Sequence, residues 1–499
     1  MFRRYALFFL LALCCPKLYA QGNQPRVDLE FYNVLPLPDN EFVAVLTDRK
    51  ASPSRLKFAR FNQEEEMLNE AFIELENRGL RGQLESVFFW NEKINVLHSV
   101  YYPGPQRNNL ILTQYHPLTF AVDTAVLVSE AYTPGRYRVP FGYSISPDSS
   151  KLQFYSWSYA LPEDPAKMEI RVMDRTLQTL WEKRYVLPYD NERLYLYKSL
   201  VNNAGEAYIM AEYYQGTISP YSTIQEDKVD RFVLLFSRDD PEALRYSIRL
   251  DNDPVIQHIK FVMDRQNNVI GAGFYSDKKL GTYSGIFSFR IDHQTRQYDK
   301  RTFPISKEVF AAAAPKNKPE FYPEKGKRGF FDFFVNQLVA DEAGNFYLVA
   351  EQISEVSYYL EYGDVLIAKI TPSQKMDWLL TVPKKHKSLY QESIFSYGFA
   401  HTPTGLFLIF NDNPENYLPN KRTRYHLPYE GGPTANVLVQ VEPEGTVRYR
   451  FLNKQLSMTL VPSKTYQLSD QALAVYGELS NKAGQTSGLL ELIPLRENP

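Results

Sequence analysis

The chain has 499 residues, with 56 lysines and arginines against 58 aspartates and glutamates and a formal net charge of −2. That balance argues against nucleic acid as the main partner, and past the N-terminus no apolar run reaches the length of a membrane-spanning helix. The 36 tyrosines and 32 phenylalanines, with 32 prolines and 24 glycines, favour short strands joined by tight turns.

The first element is MFRRYALFFLLALCCPKLYA. Arg3 and Arg4 precede an apolar stretch from Ala6 to Cys15 that is too short to span a bilayer, and Ala20 is a small residue where a signal peptidase needs one. This predicts an export signal cleaved after Ala20, a mature domain over 21–499 and a periplasmic or extracellular location. A lipoprotein signal, with Cys14 or Cys15 as the lipidated residue, would need a small residue before the cysteine, and Leu13 and Cys14 stand there. Both cysteines of the chain lie in this segment. The mature protein therefore has no disulfide, no thiolate metal site and no cysteine nucleophile.

From Phe31 onward one pattern recurs: an apolar run, a polar turn, a second apolar run. It begins at Phe31, Leu84, Phe141, Tyr195, Ile259, Phe333, Phe395 and Lys464, giving eight copies. FFVNQLVADEAGNFYLVAEQ is typical; its DEAGN turn tolerates positive φ and bonds locally. A third run usually follows, such as DVLIAKITP, and often a fourth, such as MDWLLTVP. Four antiparallel strands, A to D, at a period of about 50 to 65 residues predict an all-β fold, a β-propeller of eight, alternatively seven, four-stranded blades. The eighth unit lacks an obvious D strand, and a segment near Val27 is expected to complete it. An open array of β-sandwiches is the rival architecture.

Two C-to-D turns, MDRTLQTLW ending in Trp181 and TPSQKMDW ending in Trp378, are similar to the tryptophan-bearing turns of pyrroloquinoline-quinone-like propellers. The glycine usual in that turn is absent from both, and the likeness covers two of eight units. It implies propeller geometry, not a quinone. As a whole the chain resembles the uncharacterised exported β-propeller-type proteins of Gram-negative bacteria, a resemblance that implies fold and compartment rather than activity.

Catalytic signatures are missing. The seven histidines, His98, His116, His258, His293, His386, His401 and His426, form no HExxH or HxH spacing, and there is no GxSxG elbow or phosphate-binding GxxxxGK[ST] loop. SDKK at 276–279 matches an SxxK pattern without its companion motifs. Gly271 and Gly273, in NVIGAGFY, fall inside a strand and are expected to permit close packing. NDNPEN is the one dense cluster of oxygen donors. Asn411, Asp412, Asn413 and Glu415 offer the hard oxygen donors that Ca²⁺ prefers; the alternative is a plain turn rich in Asn and Asp, and no other cofactor is expected.

The insertions are one-sided. Chain direction alternates from strand to strand, so B-to-C and D-to-A connections share one face. The long segments YQGTISPYSTIQEDKVD, ISEVSYYLEYG, AAAAPKNKPEFYPEKGKRG and NPENYLPNKRTRYHLPYEGGPTA all fall there, as a binding face would require. They carry Tyr214, Tyr221, Tyr358, Tyr359, Tyr362, Tyr417, Arg422, Arg424, Tyr425 and Tyr429. Tyrosine offers a flat apolar body with a polar tip, and arginine clamps carboxylates. The expectation is a non-enzymatic propeller binding a protein or glycan of the cell envelope. The alternatives are a glycan hydrolase or lyase using carboxylates such as Glu351 and Asp412 in the funnel, and a structural envelope component.

Overall fold

The computed structural model describes residues 29–48, 54–133, 140–158, 164–216, 228–277, 283–306, 308–310, 332–356, 359–384, 386–388, 394–413, 435–453, 458–480 and 486–495. Val27, the expected closing segment, lies outside them. The strands form eight antiparallel sheets in chain order, and a two-residue hairpin at 76–81 sits in the connection from the first sheet to the second. Seven sheets have strands in the order A-B-C-D, and the sixth adds a short fifth strand, His386–Ser388. The eighth shows three: Met458–Ser469, Ala472–Ser480 and Thr486–Pro494.

The A strands lie innermost, each beside the A strand of a neighbouring blade. They are Leu29–Pro36, Gln83–Trp90, Phe141–Ile145, Leu194–Val201, Val255–Met263, Phe333–Ala340, Gly398–Thr402 and Met458–Ser469. Eight apolar cores fill the gaps, each drawn from two consecutive blades. A blade has two apolar faces and can bury both only between neighbours, which is why the unit must repeat. The last core joins blade eight to blade one and closes the ring by packing. Phe31 stacks on Tyr476 at 4.7 Å, Lys464 Nζ donates to the Phe31 carbonyl, and the Leu492 N–H donates to Glu65. The chain is thus an eight-bladed β-propeller, and the seven-bladed and open-sandwich alternatives fall away.

The A-to-B turns work as their residues require. In DEAGN, Asp341 Oδ1 accepts the Asn345 N–H at 2.8 Å while Gly344 takes φ +80°. NNAGE does the same with Asn202 accepting from Glu206 and Gly205 at φ +87°. The two tryptophans that suggested propeller geometry pin one blade to the next. Trp181 Nε1 donates to Gly205 O at 2.9 Å and Trp378 Nε1 to Pro443 O at 3.0 Å. Gly271 and Gly273 also do as expected. A Cβ on Gly271 would lie 2.0 Å from the Phe289 ring, and one on Gly273 would lie 2.9 Å from Phe287. Gly271→Ala is expected to overpack this strand and destabilise the fold by about 1–3 kcal/mol, read by denaturant unfolding.

Candidate functional site

The connections divide as strand alternation demands. A-to-B turns such as 91–92, 202–206 and 341–345 are short, and the C-to-D turns are little longer. The B-to-C stretches 215–228 and 413–434 and the D-to-A stretches 305–332 and 383–397 are long, and the strands that bound them end at the opposite face. One of the expected loops is a strand extension. The B strand of blade six runs to Val356 and its C strand starts at Tyr359, with Val356 opposite Tyr359. Ile353 and Val356 suit a pleated ladder, so ISEVSYYLEYG continues the sheet as a projecting hairpin.

Of the binding candidates, Tyr214 is buried at the end of its strand with its ring against Gly216. Tyr362 is half-buried, stacked on Phe395 at 6.0 Å, with the Lys384 ammonium 5.7 Å over its ring. Tyr359 has a described backbone only. Tyr221, Tyr358, Tyr417, Arg422, Arg424, Tyr425, Tyr429 and Glu415 lie outside the described residues. Asn411, Asp412 and Asn413 are buried. Asn411 is fully committed: Nδ2 donates to Ile394 O and Leu460 O, and Oδ1 accepts the Leu460 N–H. It ties blade seven to blade eight. Among the described residues no group of three or more His, Cys, Asp or Glu side chains could hold a metal.

Beneath this face, between blades six and seven, lies a buried polar cluster. Glu351 and Lys384 are both 0% exposed and meet at 2.6 Å. The contact is a close ion pair rather than a well-directed hydrogen bond. Ser396 Oγ and, at longer range, Asn336 Nδ2 also donate to the Glu351 carboxylate. His386 Nε2 lies 2.7 Å from the Asn411 carbonyl. Burial first, and then the Lys384 charge, hold the His386 imidazole well below its usual pKa, so it is neutral. The cluster anchors the root of the projecting hairpin and the 383–397 connection. Glu351 and Asp412, considered as accessible carboxylates, are both closed to solvent.

Between blades four and five the same face carries a cleft of about 820 Å³, lined by Lys228, Asp230, Arg231, Arg249, Asp253 and Asp277 among others. Arg231 Nε donates to Glu212 at 2.6 Å, and Glu212 also accepts the Tyr197 hydroxyl. This chain of bonds runs from the cleft wall to an innermost strand.

The innermost strands bring polar residues to the channel at recurring irregularities. Register shifts recur between A and B strands: between Phe31 and Asn33, Leu84 and Ser86, Leu196 and Ser199, Gln257 and Lys260, and Val335 and Gln337. Each is a bulge, which re-aims side chains. The residues within them include Tyr32, Glu85, Lys198, His258 and Asn336. Ser86 Oγ donates to the Tyr143 hydroxyl at 3.1 Å, which joins the innermost strands of blades two and three. His258 takes φ +50° and its ring sits 4.2 Å from Phe334. Burial, and next the Arg231 charge, push its pKa down to about 4, with Glu212 opposing. One signal was available: YNV, ESV, KSL and NQL each interrupt the apolar alternation of an A strand with polar residues.

Fold and site together define an eight-bladed propeller with a polar channel and one elaborated face. No protein-family model and no curated protein sequence matches the chain. Among solved structures it is similar to the polysaccharide lyase Uly1, at 10% identity over 82% of this chain and 90% of that one, with a TM-score of 0.41. It is also similar to two β-propeller domains. That of the trilobed protease of Pyrococcus furiosus shows 12% identity, 73% and 96% coverage and a TM-score of 0.34. That of Myceliophteria thermophila Cps50 shows 9% identity, 82% and 99% coverage and a TM-score of 0.32. Likeness this distant carries no argument about what the chain binds or does.

Proposed function

We propose that the chain is an exported, non-enzymatic propeller of a Gram-negative envelope that binds an envelope protein or glycan on its long-connection face. The carrying observation is where the strands end: those leading into 215–228, 305–332, 383–397 and 413–434 all leave the ring at one face, while at the other face the strands are joined by short turns. The cleft between blades four and five opens on the elaborated face, and the Glu351 cluster makes a rigid base for it.

Replacing 414–434 by a short glycine-containing turn is expected to leave the thermal midpoint of the unliganded protein unchanged within a few degrees. It should abolish the rise in midpoint that an envelope glycan or peptide produces in the native chain, because only a ligand of the folded state raises it. Full retention of that rise refutes the face assignment. A glycan hydrolase or lyase is the second reading, favoured by the polar channel and by the positive φ of His258. Turnover of a glycan that raises the midpoint would select it.

A further inference from the structure

On the channel wall formed by blades four to six, several large side chains stay exposed although they belong to innermost strands. They are Tyr195 at 44%, Tyr197 at 55% and Phe334 at 40%, together with Lys198 and Lys260. A side chain on an innermost strand between packed blades can reach solvent only through the channel or its mouths. Lys198 lies within the bulge of its strand and Lys260 directly after the next one.

Neither lysine has a hydrogen-bond or ion-pair partner among the described residues. The neighbouring carboxylate, Glu212, is already taken by Arg231 and the Tyr197 hydroxyl. His258, two residues before Lys260, is neutral and adds no further positive charge. Although both residues are exposed, desolvation of the part lying against the wall lowers the pKa of each, and the Lys260 charge adds to this at Lys198. Two lysines exposed on neighbouring innermost strands without a counter-ion repel one another in the empty protein. A bound anion would remove that penalty. Tyr195 and Tyr197, on the same strand as Lys198, are exposed and present flat amphipathic faces suited to a pyranose ring. An acidic peptide would use the lysines but not these faces.

We infer that this wall is a subsite for an acidic sugar, with Lys198 and Lys260 receiving the carboxylate and Tyr195 and Tyr197 the ring. The inference rests on the reading of the chain as a glycan-binding propeller and names the glycan class. Calorimetric titration of the mature protein with trigalacturonate, neutral galactotriose and pentaglutamate tests it. Trigalacturonate should bind at least about tenfold more tightly than either of the others. Lys198→Met/Lys260→Met should lose at least about tenfold of that affinity, keep its weak galactotriose binding and unfold no earlier than the native chain. Equal affinity for the two sugars, tighter binding of the peptide, no binding of trigalacturonate, or an unaffected double variant would each overturn the subsite. The 414–434 variant separates the two claims. If it loses its ligands while the lysine variant keeps trigalacturonate, the face stands and the subsite falls. The reverse result keeps the subsite and removes the face.

Discussion

Lys384→Met is expected to destabilise the protein by about 3–5 kcal/mol, because it strands a charge in the interior. Glu351 and Lys384 are both completely buried and 2.6 Å apart. Without the ammonium group, the carboxylate keeps only the neutral donors Ser396 and Asn336, and neutral donors do not replace a counter-ion in a low-dielectric interior. The double variant Glu351→Gln/Lys384→Met removes both charges and leaves an amide that can still accept from Ser396. It should recover to within about 1–2 kcal/mol of the native chain, since a buried pair contributes little net stability against neutral replacements. Urea unfolding of the two variants forms the test. A single-variant loss below about 1 kcal/mol would mean that water reaches the pair. The consequence extends to function, because this pair sits where the projecting hairpin and the 383–397 connection leave blade six. The single variant should therefore also increase amide exchange in Phe346–Val356 and Tyr359–Ile370.

Acid will unfold this protein through its histidines before it does so through most of its carboxylates. His98 is 3% exposed and neither ring nitrogen has a partner. Burial pushes its pKa down from 6.5 to about 4. Between those values the unfolded chain binds a proton and the folded chain does not, so stability falls as pH falls. Over that window His98 alone removes about 3 kcal/mol, a slope of about 1.4 kcal/mol per pH unit. His258, His386 and His401 are shifted in the same direction, each with burial as the largest cause, and they steepen the loss. Glu65 and Glu491 act the other way. Burial raises both, so the folded state takes up their protons first, and they blunt the loss at the acid end of the window. Chemical unfolding at intervals from pH 7 to pH 4 should show the decline. His98→Leu should flatten it by about 1.4 kcal/mol per unit. A variant whose curve runs parallel to that of the native chain would show that His98 is protonated in the folded state.

Much of this molecule is local in origin and so was legible in the sequence. A strand announces itself by residues alternating in and out, and a hairpin by a turn such as DEAGN, whose Asp341 and Gly344 act within five residues of each other. Four such strands, repeated eight times, imply neighbours that bury both faces of each blade. Strand alternation alone then puts every long connection on one side. The tryptophan-bearing turns carried the same message, because Trp181 and Trp378 bond forward to the next blade.

What tertiary structure decided is how residues distant in the chain share charge, space and hydrogen bonds. Tyr214 belongs to a long connection by position but is buried against Gly216, and the amide of Asn411 joins two blades. Glu351 finds Lys384 only because two connections converge beneath one face. The bulges of the A strands depend on register against the B strand, and register is a property of the pair. Lys198 and Lys260 stand on the innermost strands of two successive blades. Periodicity and turn chemistry act over a few residues and can be read from order alone. Burial, counter-charge and register exist only once the ring has closed.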